Sequence, residues 1–239
     1  MTTLILPRRT MLTAAAGMIA TGPALAAGAV VTAVYGDSQA QGLAGGLIRQ
    51  LRGTKRYRII NHTKPGSALG TPAVYDWVDV VQQAVPADQA AVAVLMFGGN
   101  DRVPGKTLDG KSLPFRGPEW LAFYRPRVAA ILHQLAAANT RPVWVGNPIT
   151  RDPGYSRDMD FLNDLYRTEV AANPSAVFLD VNAAVTDAKG AYQSHGDDVN
   201  GVTQRLRTDD GIHFTIAGYD KIAHLVIDRL DKLDLPRPA

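Results

Sequence analysis

A single α/β domain, with a mostly parallel sheet and helices on both faces, is the fold the sequence predicts. Three observations carry the prediction. Short β-rich or apolar runs alternate with helix-spaced segments along most of the chain. Polar, glycine-bearing sequences follow the strand runs at 36–38, 98–101 and 146–148, where the ends of parallel strands open into a ligand crevice. The 239 residues contain no internal repeat and no interdomain linker, and that length suits one ordinary core. Right-handed crossovers then put helices on both sides of the sheet.

Five strands are expected. Residues 30–35 (VVTAVY) are β-rich and stop at Gly36-Asp37-Ser38. Residues 40–52 form a helix weakened by Gly42, Gly45 and Gly46, and 56–60 (RYRII) give the second strand. Helical spacing over 74–85 is closed by Pro86. The continuous apolar run 91–97 (AVAVLMF) suits a strand buried on both faces. A loop over 102–118 leads to a long helix over 119–138. Residues 142–145 are the fourth strand, 151–157 a polar loop, 159–172 a helix and 176–181 the fifth strand. Turn residues throughout 187–201 indicate an irregular excursion with a small hairpin. The last helix spans 216–230, with Ile222, Leu225, Val226 and Leu230 at helical spacings.

Residues 1–26 read as a cleaved export signal. Arg8-Arg9 precedes the small-residue apolar stretch 11–19, and Ala24-Leu25-Ala26 supplies a small-x-small cleavage site. The paired arginines resemble the twin-arginine type, which exports folded proteins to the periplasm or beyond. The stretch is about half the roughly 20 residues of a spanning helix, so no stable membrane insertion is expected after cleavage. Residues 27–239 then form the single working domain.

The basic pI overstates the charge of that domain. Arg8 and Arg9 lie in the signal, which has no acid, and the rest holds 23 basic against 22 acidic residues. That balance argues against a nucleic-acid partner. The chain has no Cys, which excludes disulfides, thiolate nucleophiles and cysteine-based metal sites. No cofactor and no metal are expected.

The chemistry gathers at the strand ends. Ser38 follows a strand and starts a helix, where backbone N–H groups face outward. A serine there is most often an N-cap. The turn lacks the G-x-G-x-x-G spacing of a dinucleotide site and the G-K-[ST] of a phosphate loop. As a nucleophile Ser38 needs a base, and five histidines are available: His62, His133, His195, His213 and His224. Of these, His213 has Asp210 three residues before it, within reach inside one turn. That carboxylate can accept from Nδ1 and leave Nε2 to take a serine proton. Asn100, beside two glycines, can donate its amide to a developing oxyanion or serve simply as a turn former.

Taken in order, Gly36-Asp37-Ser38, Gly99-Asn100-Asp101 and Asp210-Gly211-Ile212-His213 resemble the first, third and fifth blocks of the SGNH/GDSL hydrolases. The continuation from Phe214 to Tyr219 also resembles that family's last block. The resemblance covers nearly the whole chain after the signal. Within the family it more specifically resembles an exported bacterial branch marked by Asp76-Trp77 and the Asp-Gly-Ile-His-Phe-Thr ending. It implies a flavodoxin-like, three-layer α/β/α sandwich. It further implies Ser38 as nucleophile, His213 as base and Asp210 as its orienter, with an oxyanion hole from the N–H groups of Ser38 and Gly66 and the Asn100 amide.

Two departures stand out. Gln39 occupies a place where the family often has Leu, and the second block is blurred, with Gly66, Ala68 and Gly70 all able to supply an N–H. The resemblance implies a serine esterase acting on short acyl esters, with an acylated carbohydrate as the expected substrate. An O-acyltransferase using the same residues and a non-catalytic glycan-binding protein are the alternatives. The residues expected to line the substrate are Asp37, Gln39, Arg102, Trp120, Asn147 and Arg151, with Lys106, Lys111, Arg116 and Arg157 on the same loops. Trp77 and Trp144 are expected to pack in the core.

Overall fold

The computed structural model describes residues 28–235; the expected export signal over 1–26 lies outside the described residues. Five parallel strands form the central sheet: β1 (Val30–Gly36), β2 (Tyr57–Asn61), β3 (Val92–Met96), β6 (Arg141–Val145) and β7 (Val177–Leu179). Their spatial order is β2-β1-β3-β6-β7. The chain moves outward from β1 to β2, then crosses back to place β3 on the other side of β1. The carboxyl end of β1 is therefore the topological switch point where such sheets bind ligands.

Helices cover both faces. One core packs Ala33, Tyr35, Ala93, Leu95 and Trp144 under α2 (Trp77–Asp88), α3 (Pro118–Ala137) and α4 (Pro153–Ala171). The other packs Val34, Val94, Met96 and Val143 under α1 (Ser38–Leu51) and α6 (Ile216–Asp231). Alternate residues of one strand thus serve opposite cores, the period-two rule of a strand covered twice. The observed architecture is the three-layer sandwich that the sequence predicts.

The glycines that weaken α1 have a packing task. A Cβ on Gly42 would sit 2.1 Å from the Tyr219 ring, and one on Gly46 would sit 2.8 Å from the Ala223 Cβ. Only bare backbone lets α6 approach α1 this closely.

Several local expectations are corrected. Pro86 does not close α2 but lies in its last turn, which forgoes the bond that an N–H at 86 would give to the Gln82 carbonyl. The segment 151–157 is not all loop: Asp152 accepts from the Tyr155 N–H at 2.6 Å and Pro153 opens α4, a start favoured by proline's fixed φ. The loop over 102–118 contains a short hairpin, β4 (Gly105–Lys106) with β5 (Ser112–Leu113). The small hairpin expected in the irregular excursion is β8 (His195–Asp197) paired with β9 (Thr203–Arg205), past the short helix α5 (Asn182–Val185). Trp77, Trp120 and Trp144 are all fully buried.

Gly36 ends β1 with φ +140°, and a Cβ there would fall 1.9 Å from the Met96 carbonyl oxygen of the neighbouring strand. Gly36→Ala should therefore cost several kcal/mol, on the order of the largest single-site effects. Urea denaturation of the two proteins measures the loss.

Candidate active site

Three strand ends supply the site. Ser38 opens α1 immediately after β1, and its helix is capped by Asp37, whose Oδ1 accepts from the Gln39 N–H at 2.9 Å. The other carboxylate oxygen accepts from the Gly99 N–H at 3.0 Å, tying the start of α1 to the loop after β3. Asp37 is 1% exposed. Burial pushes its pKa up to about 7, against the lowering effect of the two backbone donors.

Across the crevice stands the segment preceding α6. Ser38 Oγ and His213 Nε2 are 2.8 Å apart, and His213 Nδ1 lies 2.6 Å from Asp210 Oδ2. Asp210 Oδ1 accepts from the N–H groups of Ile212 and His213 and from the Thr208 hydroxyl, at 2.8, 3.0 and 2.6 Å. Partial burial works against ionisation, but these donors and His213 outweigh it and hold the carboxyl well below the usual range. The structure thus brings Ser38, His213 and Asp210 into one hydrogen-bonded row, with the carboxylate set to orient the ring. A positive φ of 71° at Gly211 makes the tight turn between Asp210 and His213.

The segment in which the resemblance places a second oxyanion donor, 64–70, turns sharply at Gly66. Gly66 is exposed, with φ +76°, in a turn closed by the Ser67 N–H on the Lys64 carbonyl. Glycine is favoured there because the third position of a type II turn requires positive φ. The Asn100 amide donates instead to the Ser67 carbonyl at 2.8 Å, so it abuts the Ser67–Ala68 peptide and retains a second N–H. Both Ser67 and Ala68 are buried. Asp76 caps α2, and Trp77 donates its indole N–H to the Ser67 hydroxyl at 3.0 Å. Trp77 of the Asp-Trp pair noted in the sequence therefore supports the segment on which the Asn100 amide rests.

Of the expected substrate contacts, four are structural. Asp37 is the buried tie described above. Gln39 is 5% exposed and spends both ends of its amide on Ile212 and Tyr219. Asn147 is 2% exposed, donating to the Phe97 carbonyl at 2.7 Å while its backbone N–H bonds Asn163. Trp120 is sealed in the core, stacked on Tyr124 at 4.2 Å between ring centroids. Arg102 and Arg151 are exposed at the rim. Arg102 lies over the Tyr155 ring at 4.3 Å and pairs with Asp158 at 3.1 Å. Arg151 lies against Gly211 and donates to the Asp209 carbonyl at 2.7 Å.

Sequence reasoning did not find Asp101, Tyr155 or Arg207. Asp101 is 2% exposed and accepts from the Gly70 N–H at 2.6 Å, so adjacent residues Asn100 and Asp101 grip both ends of 67–70. Burial raises its pKa to about 6. The Tyr155 hydroxyl donates to the Gly99 carbonyl. Asp101 had a local signal, since it completes the Gly99-Asn100-Asp101 triplet. Tyr155 had none, because Gly99 is remote in sequence, and for Arg207 nothing local marked the bonds to Ile212 and to the distant Ile149. Among the described residues no group of three or more His, Asp or Glu could hold a metal ion, and no helix is long and apolar enough to cross a membrane.

Sheet order and the switch-point position of the serine define the class: this is the fold of the SGNH/GDSL hydrolases. Residues 31–229 match the family described as "Protein of unknown function (DUF459)", and the chain belongs to that family. A search of the curated proteins finds no match. Among solved structures the chain resembles a GDSL-like lipase from Bacteroides thetaiotaomicron (TM-score 0.60, 14% identity, covering 85% of this chain and 88% of that one). It also resembles LAE5, an alpha/beta hydrolase enzyme from the metagenome of Lake Arreo, Spain (0.60, 17%, 86% and 96%). The psychrotrophic esterase EstA from Pseudoalteromonas is a third (0.56, 13%, 85% and 97%). At such identities the likeness is one of fold.

The buried carboxyls give the protein a pH signature. Asp37 and Asp101 ionise near 3.8 when unfolded but at about 7 and about 6 when folded. The folded state therefore binds more protons between those values, and the stability held below pH 3.8 declines as pH rises toward 7. Asp210, depressed when folded, contributes fully above 3.8 and does not alter that interval. Chemical denaturation at pH 4.5 and 8 should show this decline, and Asp101→Asn should reduce it by on the order of 1–2 kcal/mol.

Proposed function

We propose that the protein is a serine esterase that hydrolyses short O-acyl esters on a carbohydrate or cell-envelope glycan through an acyl-enzyme. The observation that carries this reading is the unbroken row from Ser38 Oγ through His213 to Asp210, at 2.8 and 2.6 Å. In the first step His213 Nε2 takes the Oγ proton while Oγ bonds to the ester carbonyl carbon. The resulting oxyanion is received by the Ser38 N–H, the Ala68 N–H and the second amide N–H of Asn100. Collapse breaks the bond to the alcohol, which leaves with the proton from His213. Water, deprotonated by the same nitrogen, then releases the acid and frees Ser38. A sugar hydroxyl in place of that water would make the protein an O-acyltransferase.

Ala68 takes the donor role here in place of Gly66, because its peptide is the one the Asn100 amide abuts. Hydrolysis of 4-nitrophenyl acetate tests the reading. Ser38→Ala should lose at least two powers of ten in kcat, and Asn100→Ala about two to three, the usual effect of one oxyanion donor. Equal rates in wild type and Ser38→Ala would overturn it, and glycan binding indifferent to Ser38→Ala would favour the binding-protein alternative.

The rim favours a glycan bearing an acidic group. Arg102 and Arg116 share Asp158, at 3.1 and 2.8 Å, whereas Arg151 and Arg157 have no carboxylate within 4 Å among the described residues. Arg151 rests on the Asp210–His213 turn, the side on which the departing alcohol leaves. An acetylated glucuronate should be cleaved faster than the matching acetylated glucose, with an advantage that shrinks as salt is raised. Export completes the proposal: periplasmic protein should begin near Ala27 on N-terminal sequencing.

A further inference from the structure

Besides the bond between Ser38 and His213, one other hydrogen bond joins residues 37–40 to the 208–214 segment among the described residues. It comes from Gln39, where the sequence departs from the resembled family. Gln39 Nε2 donates to the Ile212 carbonyl at 3.0 Å. Ser38 and Gln39 are consecutive, and so are Ile212 and His213. The start of α1 and the 208–214 segment are thus cross-linked twice, at neighbouring residues, once through the Ser38–His213 pair and once beside it.

The amide is itself fixed. Its Oε1 accepts from the Tyr219 hydroxyl at 3.1 Å, so the donor end can only face Ile212. Tyr219 reaches this position because Gly42, one turn beyond Gln39, is bare; a Cβ there would meet the Tyr219 ring at 2.1 Å. Gln39 is 5% and Tyr219 8% exposed, which removes water as a competing partner. A leucine could fill the space but donate nothing.

The Ile212 carbonyl has a second donor. Arg207 is fully buried and sends Nη1 to Ile212 at 2.9 Å and Nη2 to the Ile149 carbonyl at 2.5 Å. Its guanidinium lies over Phe214 at 3.7 Å. The carbonyl preceding His213 is therefore held from two directions, by Arg207 from the loop's own side and by Gln39 from the nucleophile's helix. Within the loop, Asp210 binds its own neighbours, which sets the local turn but not its distance from Ser38.

We infer that Gln39, granted the esterase reading above, is a positioning residue that sets the separation of Ser38 and His213. It touches neither substrate nor the reacting atoms. Its amide holds the base's segment at the span across which proton transfer occurs, a distance to which rate is steeply sensitive. Arg207 keeps the same carbonyl anchored when Gln39 is changed, so loss of the cross-link need not unfold the loop.

Three variants of the full chain test this. Gln39→Leu removes both ends of the amide. Gln39→Glu keeps an acceptor for Tyr219 but, when ionised, has no proton for Ile212. Tyr219→Phe leaves the donor and frees the amide to turn. Two readouts are taken: kcat and KM with 4-nitrophenyl acetate, and the rate at which diethyl 4-nitrophenyl phosphate labels Ser38, followed by mass spectrometry. In the labelling, an Oγ–P bond forms, 4-nitrophenolate leaves and the serine proton passes to His213.

The expected result is a kcat about ten- to a hundredfold lower in both Gln39 variants, with KM changed less than about threefold. Labelling should fall in parallel, and Tyr219→Phe should show a smaller loss of the same kind. Folded Gln39 variants that retain wild-type kcat and labelling would overturn the inference and leave the esterase reading standing. If only Tyr219→Phe folds, unchanged labelling in it overturns the inference. A wild-type chain with neither Ser38-dependent turnover nor label would overturn both.

Discussion

The buried carboxylate of Asp37 is the joint on which the site depends. One oxygen caps the helix that begins at Ser38 and the other holds the loop that ends in Asn100. Ser38 and Asn100 follow different strands, and this side chain ties the start of one segment to the other. The cost is a carboxyl removed from water, visible as a pKa raised to about 7. Such a group persists only where the surrounding fold is stable enough to carry it.

Around that joint the site is assembled from paired attachments. Asn100 and Asp101 hold opposite ends of 67–70, and Trp77 supports the same loop from behind. Asp210 gathers the Thr208 hydroxyl and the Ile212 and His213 backbone N–H groups besides the His213 ring, so its loop is shaped before it meets Ser38. Gln39 and Arg207 then converge on one carbonyl. Few of these side chains touch a substrate. They convert three separate strand ends into a surface with fixed distances, as a preorganised site requires.

The same logic explains the expected substrate contacts that turned out to be supports. Asp37, Gln39 and Asn147 were placed correctly at strand ends, but polar side chains there face inward as readily as outward. Unpaired backbone groups at the ends of buried strands need partners, and Asn147 meets that need with the Phe97 carbonyl. Trp120 was placed near the crevice by its position after a long loop, yet its ring is core. Gly66, Ala68 and Gly70 are equivalent as N–H donors in the sequence, whereas in the fold Gly66 makes a turn through its positive φ and Ala68 is buried.

By itself the sequence determined the α/β class, the five strands, and the short-range geometry of Asp210 with His213. These follow from local periodicity and from residues close enough along the chain to meet within one turn. It also marked Ser38 and Asn100 by their places at strand ends, and the resemblance then joined them to His213 and Asp210. Tertiary structure alone decided the separation of Ser38 from His213, the roles of Arg207 and Tyr155, and which second-block peptide lies against Asn100. Each depends on how strands far apart in sequence align across the sheet and how closely α6 settles on α1. Those distances are set by packing over the whole core, and no local pattern encodes them.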